Sequence, residues 1–321
     1  MNIIILMKFT TQIPIADSKS PIDYHSKIFG IGSCFAENMG AKFDFYKFQN
    51  HVNPFGIIFN LVSICKIIER VVTNKFFTDT DVFYYENRWH CFEVHSKNSY
   101  ENREILLGNL NKILTETRIF LQQSTHIILT LGTSWVYENI DNEKVVANCY
   151  KLPQKQFVKK LISTEDTTDY IKKIIFLIQS INPKVNFIFT VSPVRHIKDG
   201  FFENNVSKGI LMQAIFEVIK DDFAINYFPS YEIVIDELRD YRFFEADMLH
   251  PNQIAIDYIW ERFYDTNIHT NAKEISKKVT NIQRLLLHRP LNLNEMDFNI
   301  FQKKIQDSIQ NLRSSNPEIN F

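Results

Sequence analysis

The sequence predicts an α/β fold in which helices cover both faces of a parallel sheet. Short apolar segments, rich in β-branched and aromatic residues and bounded by turn-forming residues, are typical of buried strands. Amphipathic segments with helical spacing lie between them. This alternation indicates parallel pairing, because a crossover between parallel strands usually contains a helix.

Each element is predicted from its own pattern. The predicted strands span residues 27–31, 126–131, 185–191 and 232–235. Phe35, Met39 and Phe43 recur every four residues and predict a helix directly after the first strand. The further predicted helices span residues 57–72, 101–121, 164–180, 204–220 and 253–264. Residues 84–95 are expected to form a hairpin or an irregular insertion.

The pattern changes after residue 267. Two more helices are predicted, 272–288 and 295–312, and Arg289-Pro290 separates them. We interpret residues 1–267 as the α/β domain and residues 268–321 as a C-terminal helical extension packed on it. A chain of 321 residues is within range for one α/β domain with such an addition.

Charge and cysteine usage exclude several classes of function. With 36 Lys and Arg against 37 Asp and Glu, nothing indicates a nucleic-acid or membrane partner. The 4 cysteines have no CxxC spacing, which argues against a zinc site or a redox pair. No apolar run could span a bilayer, and the apolar start MNIIIL is shorter than a signal-peptide core. We therefore expect a cytoplasmic protein with a small-molecule partner, and its oligomeric state stays open.

Ser33 is the candidate nucleophile. It follows an apolar strand and precedes a helix, and Gly30 and Gly32 allow a tight turn with room for a substrate. The amides at the start of that helix favour negative charge, so they would stabilise an oxyanion formed by attack on a carbonyl. The alternative role of Ser33 is to cap the helix. Cys34 is a second candidate nucleophile, but a thiol here is expected to pack under the helix.

Asp247 and His250 can supply a base and the group that orients it. Their spacing on a turn can bring the carboxylate to Nδ1 of the ring, which leaves Nε2 to accept the serine proton. The alternative is a surface pair that caps the helix beginning near Pro251. With Ser33, these residues are the minimum set for serine-based acyl transfer, which needs no cofactor.

Further candidates follow from where the strands end. Residues 132–134 (GTS) and 192–193 (SP) come directly after predicted strands, as Ser33 does, and ligands bind beyond the carboxyl ends of such strands. Gly56 precedes a helix and is either an oxyanion donor through its amide or a conformational glycine. Asn53 either adds a side-chain NH₂ or holds the loop.

Residues near two of these strand ends are candidates for substrate binding. Arg195, beside His196, can bind a carboxylate, a phosphate or sugar hydroxyls, or it can pair with a nearby acid such as Asp199. Trp135 and Tyr137 can form a wall that stacks on a sugar, or they can belong to the core.

These segments together resemble the GSCFA family. Residues 29–36 (FGIGSCFA) contain the letters that name it. The similarity continues in residues 53–58 (NPFGII), 131–137 (LGTSWVY), 146–149 (VANC), 191–196 (VSPVRH), 207–208 (SK) and 227–251. It covers roughly residues 9–263, and Lys208 within it is a further candidate pocket residue.

The GSCFA family in turn resembles the SGNH hydrolases, which have a flavodoxin-like three-layer α/β/α fold. This resemblance implies that Ser33 matches the nucleophile. Gly56 matches the oxyanion glycine of the second block. Asp247 and His250 match the final DxxH block.

The third block departs from the SGNH pattern. SGNH enzymes usually present Gly-x-Asn-Asp, with the Asn as an oxyanion donor, whereas residues 132–135 are GTSW. Thr133 or Ser134 could donate a hydroxyl hydrogen bond there, and Asn53 could substitute for the missing amide. The loss of one such donor can cost about 3–4 kcal/mol of transition-state stabilisation.

Two functions of different classes follow. The first is an SGNH-type serine ester hydrolase or O-acyltransferase for small, acetyl-like esters of carbohydrates or related alcohols. The alternative is a non-catalytic ligand-binding module that keeps the fold, which the missing amide motivates. A metal-dependent hydrolase would need clustered ligands, and the 9 histidines show no HExxH or comparable spacing. We expect no metal and no cofactor.

Overall fold

The computed structural model describes residues 10–220, 225–288 and 295–321. The apolar start of the chain and the predicted break at Arg289-Pro290 lie outside the described residues. Within them the strands are β1 (Lys27–Gly32), β2 (Gln49–Val52), β3 (Phe83–Tyr85), β4 (Arg88–His90), β5 (His126–Leu131), β6 (Trp135–Asn139), β7 (Lys144–Val146), β8 (Phe157–Leu161), β9 (Asn186–Val191) and β10 (Ile225–Tyr227). The helices are α1 (Cys34–Phe45), α2 (Leu61–Val72), α3 (Arg103–Gln123), α4 (Thr164–Ile181), α5 (Phe201–Ile219), α6 (Ser230–Glu232), α7 (Gln253–Asn267), α8 (Thr270–Leu287) and α9 (Glu295–Ser315).

The central sheet has the strand order that the fold class requires. It runs β2-β1-β5-β9-β10, and every neighbouring pair is parallel. Numbered within the sheet, this is the order 2-1-3-4-5 of flavodoxin-like folds. The order reverses between β1 and β5, and ligands of such sheets bind beyond the carboxyl ends of the strands at that point.

Alternating side chains of the strands support a separate helical layer on each face of the sheet. On one face, side chains such as Phe29, Leu129 and Phe189 share a core with α2, α3, α4 and α5. On the other, Ile28, Ile128 and Ile188 share a core with α1, α7, α8 and α9. The α/β prediction, with helices on both faces and C-terminal helices, is confirmed. The division at residue 267 stays a prediction.

Most predicted elements are present, and one is wrong. The strand predicted at 232–235 is instead helical: α6 continues into a π-helix, Ile233–Leu238, which ends at Arg239 with φ of 51°. A short apolar run fits a strand and a buried helical turn equally well, and here Ile233 and Val234 are buried on the α7 side of the sheet. The strand on the outer side of β9 is the three-residue β10, which lies earlier in the chain than residues 232–235.

An antiparallel insertion near the carboxyl edge was not predicted. Strands β7, β6 and β8 form a three-stranded sheet, and β6 begins at Trp135, shortly after β5 ends. The predicted hairpin in residues 84–95 is present as β3 and β4. No helix in the described part of the chain is both long and apolar enough to cross a bilayer.

Gly32 occupies a position that no larger residue fits. Its φ is +145°, and a Cβ built on it would lie 2.0 Å from the carbonyl oxygen of Thr130 in β5. We expect Gly32→Ala to lower the free energy of unfolding by about 1–3 kcal/mol, since both strain and backbone collision oppose it. Urea denaturation measures this loss.

The matched control is Gly108→Ala in α3, because a Cβ there would meet no atom within 4 Å. Alanine is the better helix former, so this variant should be as stable as the wild type or slightly more so. Equal stability of the Gly32 variant and the wild type would contradict the argument.

Candidate functional site

The turn between β1 and α1 fixes Ser33 at the carboxyl edge of the sheet. Ser33 is the N-cap of α1, with φ of −69° and ψ of 175°, and its Oγ accepts a hydrogen bond from the Phe35 amide at 3.3 Å. The side chain is fully buried. The capping role is therefore present in the structure, and the nucleophile role needs the same hydroxyl to donate its proton to a base as well.

Asn53 holds this turn from the neighbouring loop. Its Oδ1 accepts from the Gly32 amide at 2.8 Å, and its Nδ2 donates to the Ser33 carbonyl at 3.4 Å. Asn53 itself has a φ of 46°, a left-handed conformation that asparagine tolerates better than most residues. Of the two predicted roles of Asn53, the structure shows the one in which its side chain holds the loop.

Both backbone amides that we predicted as oxyanion donors already have acceptors. The Ser33 amide donates to the Thr130 carbonyl at 3.0 Å, and the Gly56 amide donates to the Asn53 carbonyl at 2.8 Å. Gly56 has a φ of +82°, and a Cβ there would lie 2.3 Å from the Cβ of His95. Gly56 is therefore a conformational glycine, because a larger residue would not fit there. An oxyanion would have to compete with the Asn53 carbonyl for its amide.

The hydroxyls of the third block are held by Ser207 of α5. Thr133 Oγ1 and Ser207 Oγ are 3.0 Å apart, and the Ser134 amide donates to Ser207 Oγ at 2.7 Å. Ser134 Oγ donates to the Ser207 carbonyl at 3.0 Å and is fully buried. Ser134 is thus part of the support for the loop after β5, while Thr133 also reaches the cavity described below.

Asp247 and His250 form the predicted pair. Oδ2 of Asp247 lies 2.6 Å from Nδ1 of His250, and Oδ1 accepts from the amides of Leu249 and His250 at 2.8 and 3.0 Å. These backbone bonds, followed by the bond to the imidazole, lower the pKa of Asp247 to about 2. The carboxylate stays ionised near neutral pH, so it fixes Nδ1 as the protonated nitrogen and leaves Nε2 as an acceptor.

A cavity of about 430 Å³ lies beside this pair. All four residues that we predicted to bind substrate line it: Trp135, Tyr137, Arg195 and His196. His250, Leu249 and Thr133 line it as well, with apolar side chains such as Phe59 and Val194. Ser33 is not part of the lining. Ser33 is linked to the cavity wall through the preceding residue, Gly32. The Gly32 carbonyl accepts a hydrogen bond from the amide of Ile58, and the next residue, Phe59, lines the cavity.

Arg195 and His196 each carry a buried nitrogen without a partner. Nε of Arg195 and Nε2 of His196 have no hydrogen-bond acceptor or donor among the described residues. The predicted alternative, an ion pair between Arg195 and Asp199, is wrong, because Asp199 pairs with Lys159 at 2.5 Å. The guanidinium instead lies 4.8 Å from the ring centre of Phe244.

His196 is held neutral by its surroundings. Burial, then the charges of Lys208 and His250, lower the pKa of His196 to about 3. Its amide donates to Asn204 Oδ1 at 2.9 Å, and its ring packs edge-on against Phe59 with centroids 5.6 Å apart. A neutral imidazole offers one donor and one acceptor, so His196 can hydrogen-bond a ligand without adding charge.

Lys208 is buried completely behind the carboxyl edge. Its Nζ donates to the carbonyls of Gly132 and Ser192 at 2.7 and 2.8 Å, which join the ends of β5 and β9. Burial lowers the pKa of Lys208 to about 7. Its charge acts on the Cys34 thiol, but burial is the larger effect and raises the pKa of Cys34, so that this thiol stays protonated.

Some residues of the site were missed. Asn204 and Ser207 support the two loops after β9 and β5, and with Lys208 they form a buried polar stripe on α5 at spacings of three and four residues. Polar side chains on the helix face that is otherwise apolar and buried are the signal that could have identified them. No cluster of three or more potential metal ligands occurs in residues 10–220, 225–288 and 295–321.

The family comparison covers most of this architecture. A family model described as GSCFA family matches residues 27–263. The match begins at β1 and ends within α7, so it includes the central sheet, the Ser33 turn, the cavity lining and the Asp247–His250 pair. No curated protein matches the chain at a significant level.

Proposed function

Because this chain belongs to the GSCFA family, and because His250 of an Asp–His pair lines a cavity at the sheet edge where Ser33 follows β1, we propose that it is a serine-dependent ester hydrolase or O-acyltransferase. The Asp247–His250 contact of 2.6 Å is the observation that carries the proposal. It supplies an oriented base whose second nitrogen is left for a nucleophile. The chemistry is of the SGNH type.

In the proposed reaction Ser33 Oγ attacks the ester carbonyl and His250 Nε2 accepts its proton. His250 then returns the proton to the departing alcohol, and an acyl-enzyme remains on Ser33. Water, or a second alcohol, attacks the acyl-enzyme by the same route and releases Ser33. Asp247 stays ionised throughout and stabilises the imidazolium.

The reaction requires one rearrangement. The buried Ser33 hydroxyl must come within reach of His250 Nε2, to which it would donate; it can still accept from the Phe35 amide, because a hydroxyl can accept one hydrogen bond while it donates another. The Ser33 and Gly56 amides must turn from their present acceptors toward the oxyanion. Catalytic hydrogen bonds are often long or misaligned without substrate. The same observation, a covered serine with occupied amides, favours the second candidate, a ligand-binding module that keeps the fold.

The substrate class follows from the family resemblance and the lining. We propose small, acetyl-like esters of carbohydrates or related alcohols, with Trp135 and Tyr137 beside the alcohol portion. Both side chains are half-buried on the cavity wall, so one face of each can contact a ligand. A cytoplasmic location is part of the proposal, supported by four unpaired cysteines, and cell fractionation would test it.

A fluorophosphonate probe separates the two functions. In an enzyme it should label Ser33, and labelling should disappear in Ser33→Ala while Cys34→Ala keeps it. Peptide mapping of the labelled chain identifies the modified residue. A folded wild-type chain that takes up no probe would support the binding module.

Ser163→Ala is the matched control. Ser163 caps α4 with the same backbone geometry, φ of −69° and ψ of 165°, and its Oγ accepts from the Asp166 amide. Loss of either cap should cost about 1 kcal/mol of stability. Only the Ser33 variant should lose labelling, so the loss cannot be assigned to capping.

A further inference from the structure

The charges that line the cavity do not balance. Asp199 is the acidic residue in the lining as far as the structure describes it, and Lys159 neutralises it at 2.5 Å. Asp240 lies in a neighbouring depression that Arg195 also borders, and it pairs with Arg242 at 2.8 Å. Both of these acids have other cations as partners, and Arg195 forms no ion pair among the described residues. Lys198 also lines the cavity, so the lining carries an excess of positive charge.

Two aromatic rings and a backbone hydrogen bond position Arg195 beside the proposed base. Its guanidinium carbon lies 4.8 and 5.5 Å from the ring centres of Phe244 and Tyr241, and its amide donates to the Leu249 carbonyl at 3.4 Å. That carbonyl immediately precedes His250. Stacking on aromatic rings restricts the guanidinium while leaving its planar N–H edge for an acceptor.

His196 adds a second hydrogen-bonding group from the adjacent position, a neutral ring that donates through Nε2 in the tautomer with its proton there. Its Nε2 is buried without a partner within the described residues, as is Nε of Arg195. Buried donors are rarely left unsatisfied in native proteins, and an unpaired one indicates a ligand or water that completes it. Two such nitrogens on consecutive residues that line one cavity indicate a common acceptor.

We propose that Arg195 and His196 form a subsite for a carboxylate carried by the alcohol portion of the substrate. A carboxylate matches one fixed cation and one neutral donor, because it brings a single negative charge and two acceptor oxygens. This inference rests on the proposed function, in which the acyl group is small. The charged group therefore belongs to the alcohol.

Two esters that differ only in charge test the subsite. 4-Acetoxybenzoate carries a carboxylate, and 4-acetoxybenzamide replaces it with a neutral amide of the same shape. A charge-assisted contact should raise kcat/KM for the carboxylate about 10- to 100-fold over the amide. In Arg195→Gln this ratio should fall to about 2 or less, and in His196→Gln it should fall to an intermediate value.

Arg239→Gln is the matched control, since Arg239 lies in the neighbouring depression and not in the cavity lining. It removes the same charge nearby and should leave the ratio unchanged. An equal kcat/KM for both esters in the wild type, or an unchanged ratio in Arg195→Gln, would overturn the subsite. A preference for 4-acetoxyphenyl phosphate over the carboxylate would overturn the assignment to a carboxylate.

Binding to Ser33→Ala separates failure of the subsite from failure of the proposed function. Calorimetry with 4-acetamidobenzoate and 4-acetamidobenzamide needs no turnover. Tighter binding of the carboxylate, lost on adding Arg195→Gln, supports the subsite even if the wild type hydrolyses neither ester. Equal binding of both compounds overturns it, even if the wild type is an active esterase.

Discussion

Asp247→Asn should lower kcat for ester hydrolysis by about 10⁴-fold while the chain stays folded. In Ser-His-Asp enzymes the same isosteric change has an effect of this size, because the base is left in the wrong tautomer. Here the amide oxygen can still accept from the Leu249 and His250 amides, so the turn is kept. The amide nitrogen would then face Nδ1 of His250 as a donor and leave the proton on Nε2. Steady-state kinetics with 4-nitrophenyl acetate measure the loss.

The control for this variant is Asp240→Asn. Asp240 also accepts a backbone amide two residues ahead, from Arg242, and it forms an exposed ion pair with the same residue. It lies outside the cavity lining, so its replacement should change kcat by less than about twofold. A similar kcat for Asp247→Asn and the wild type would remove the Asp–His pair from the mechanism, whatever its geometry.

Lys208→Met should alter how stability depends on pH. Since burial lowers the pKa of Lys208 to about 7 from its ordinary 10.5, the unfolded chain binds a proton between these values that the folded chain does not. The free energy of unfolding therefore rises with pH in this window, by about 1.4 kcal/mol per pH unit. Below pH 7 both states are protonated and the contribution is flat at its minimum.

The measurement compares urea denaturation of the wild type and Lys208→Met at pH 7.5 and pH 9.5. At both pH values the variant loses the donor to the carbonyls of Gly132 and Ser192, and this loss does not depend on pH above 7. The free energy of unfolding of the wild type minus that of the variant should be about 2–3 kcal/mol larger at pH 9.5 than at pH 7.5, since only the wild type becomes more stable as the pH rises. Lys112→Met is the control, because Lys112 is exposed. The difference in free energy of unfolding between this variant and the wild type should not change with pH. A constant difference for Lys208→Met would mean that Lys208 is charged in the folded chain.

The parts of the fold that could be predicted depend on local pattern. The β1–Ser33–α1 unit was predicted because an apolar run, a capping residue and the Phe35–Met39–Phe43 stripe follow one another directly. The order of the strands follows from general rules for parallel sheets. By contrast, β10 has only three residues, too few for a pattern, and the apolar run after it was mistaken for the strand.

The site divides in the same way. The contact between Asp247 and His250 is local, so the spacing of three residues was enough to predict it. The support of the loop after β5 by Ser207 joins positions 73 residues apart, and no local pattern contains it. Whether a serine hydroxyl is covered likewise depends on the packing of distant segments, which is why the burial of Ser33 became visible only in the structure.

The apolar core on the α1 and α7 side of the sheet extends beyond the residues that the family model matches. The match to the family model ends at residue 263, within α7, but the buried cluster includes residues after it. Val279, Ile305 and Ile319 are buried in the same cluster as Phe43 and Trp260. A chain cut at residue 263 would expose the part of this cluster that α1 and α7 share with α8 and α9. Helices α8 and α9 thus supply buried side chains to a core that the matched region forms only in part.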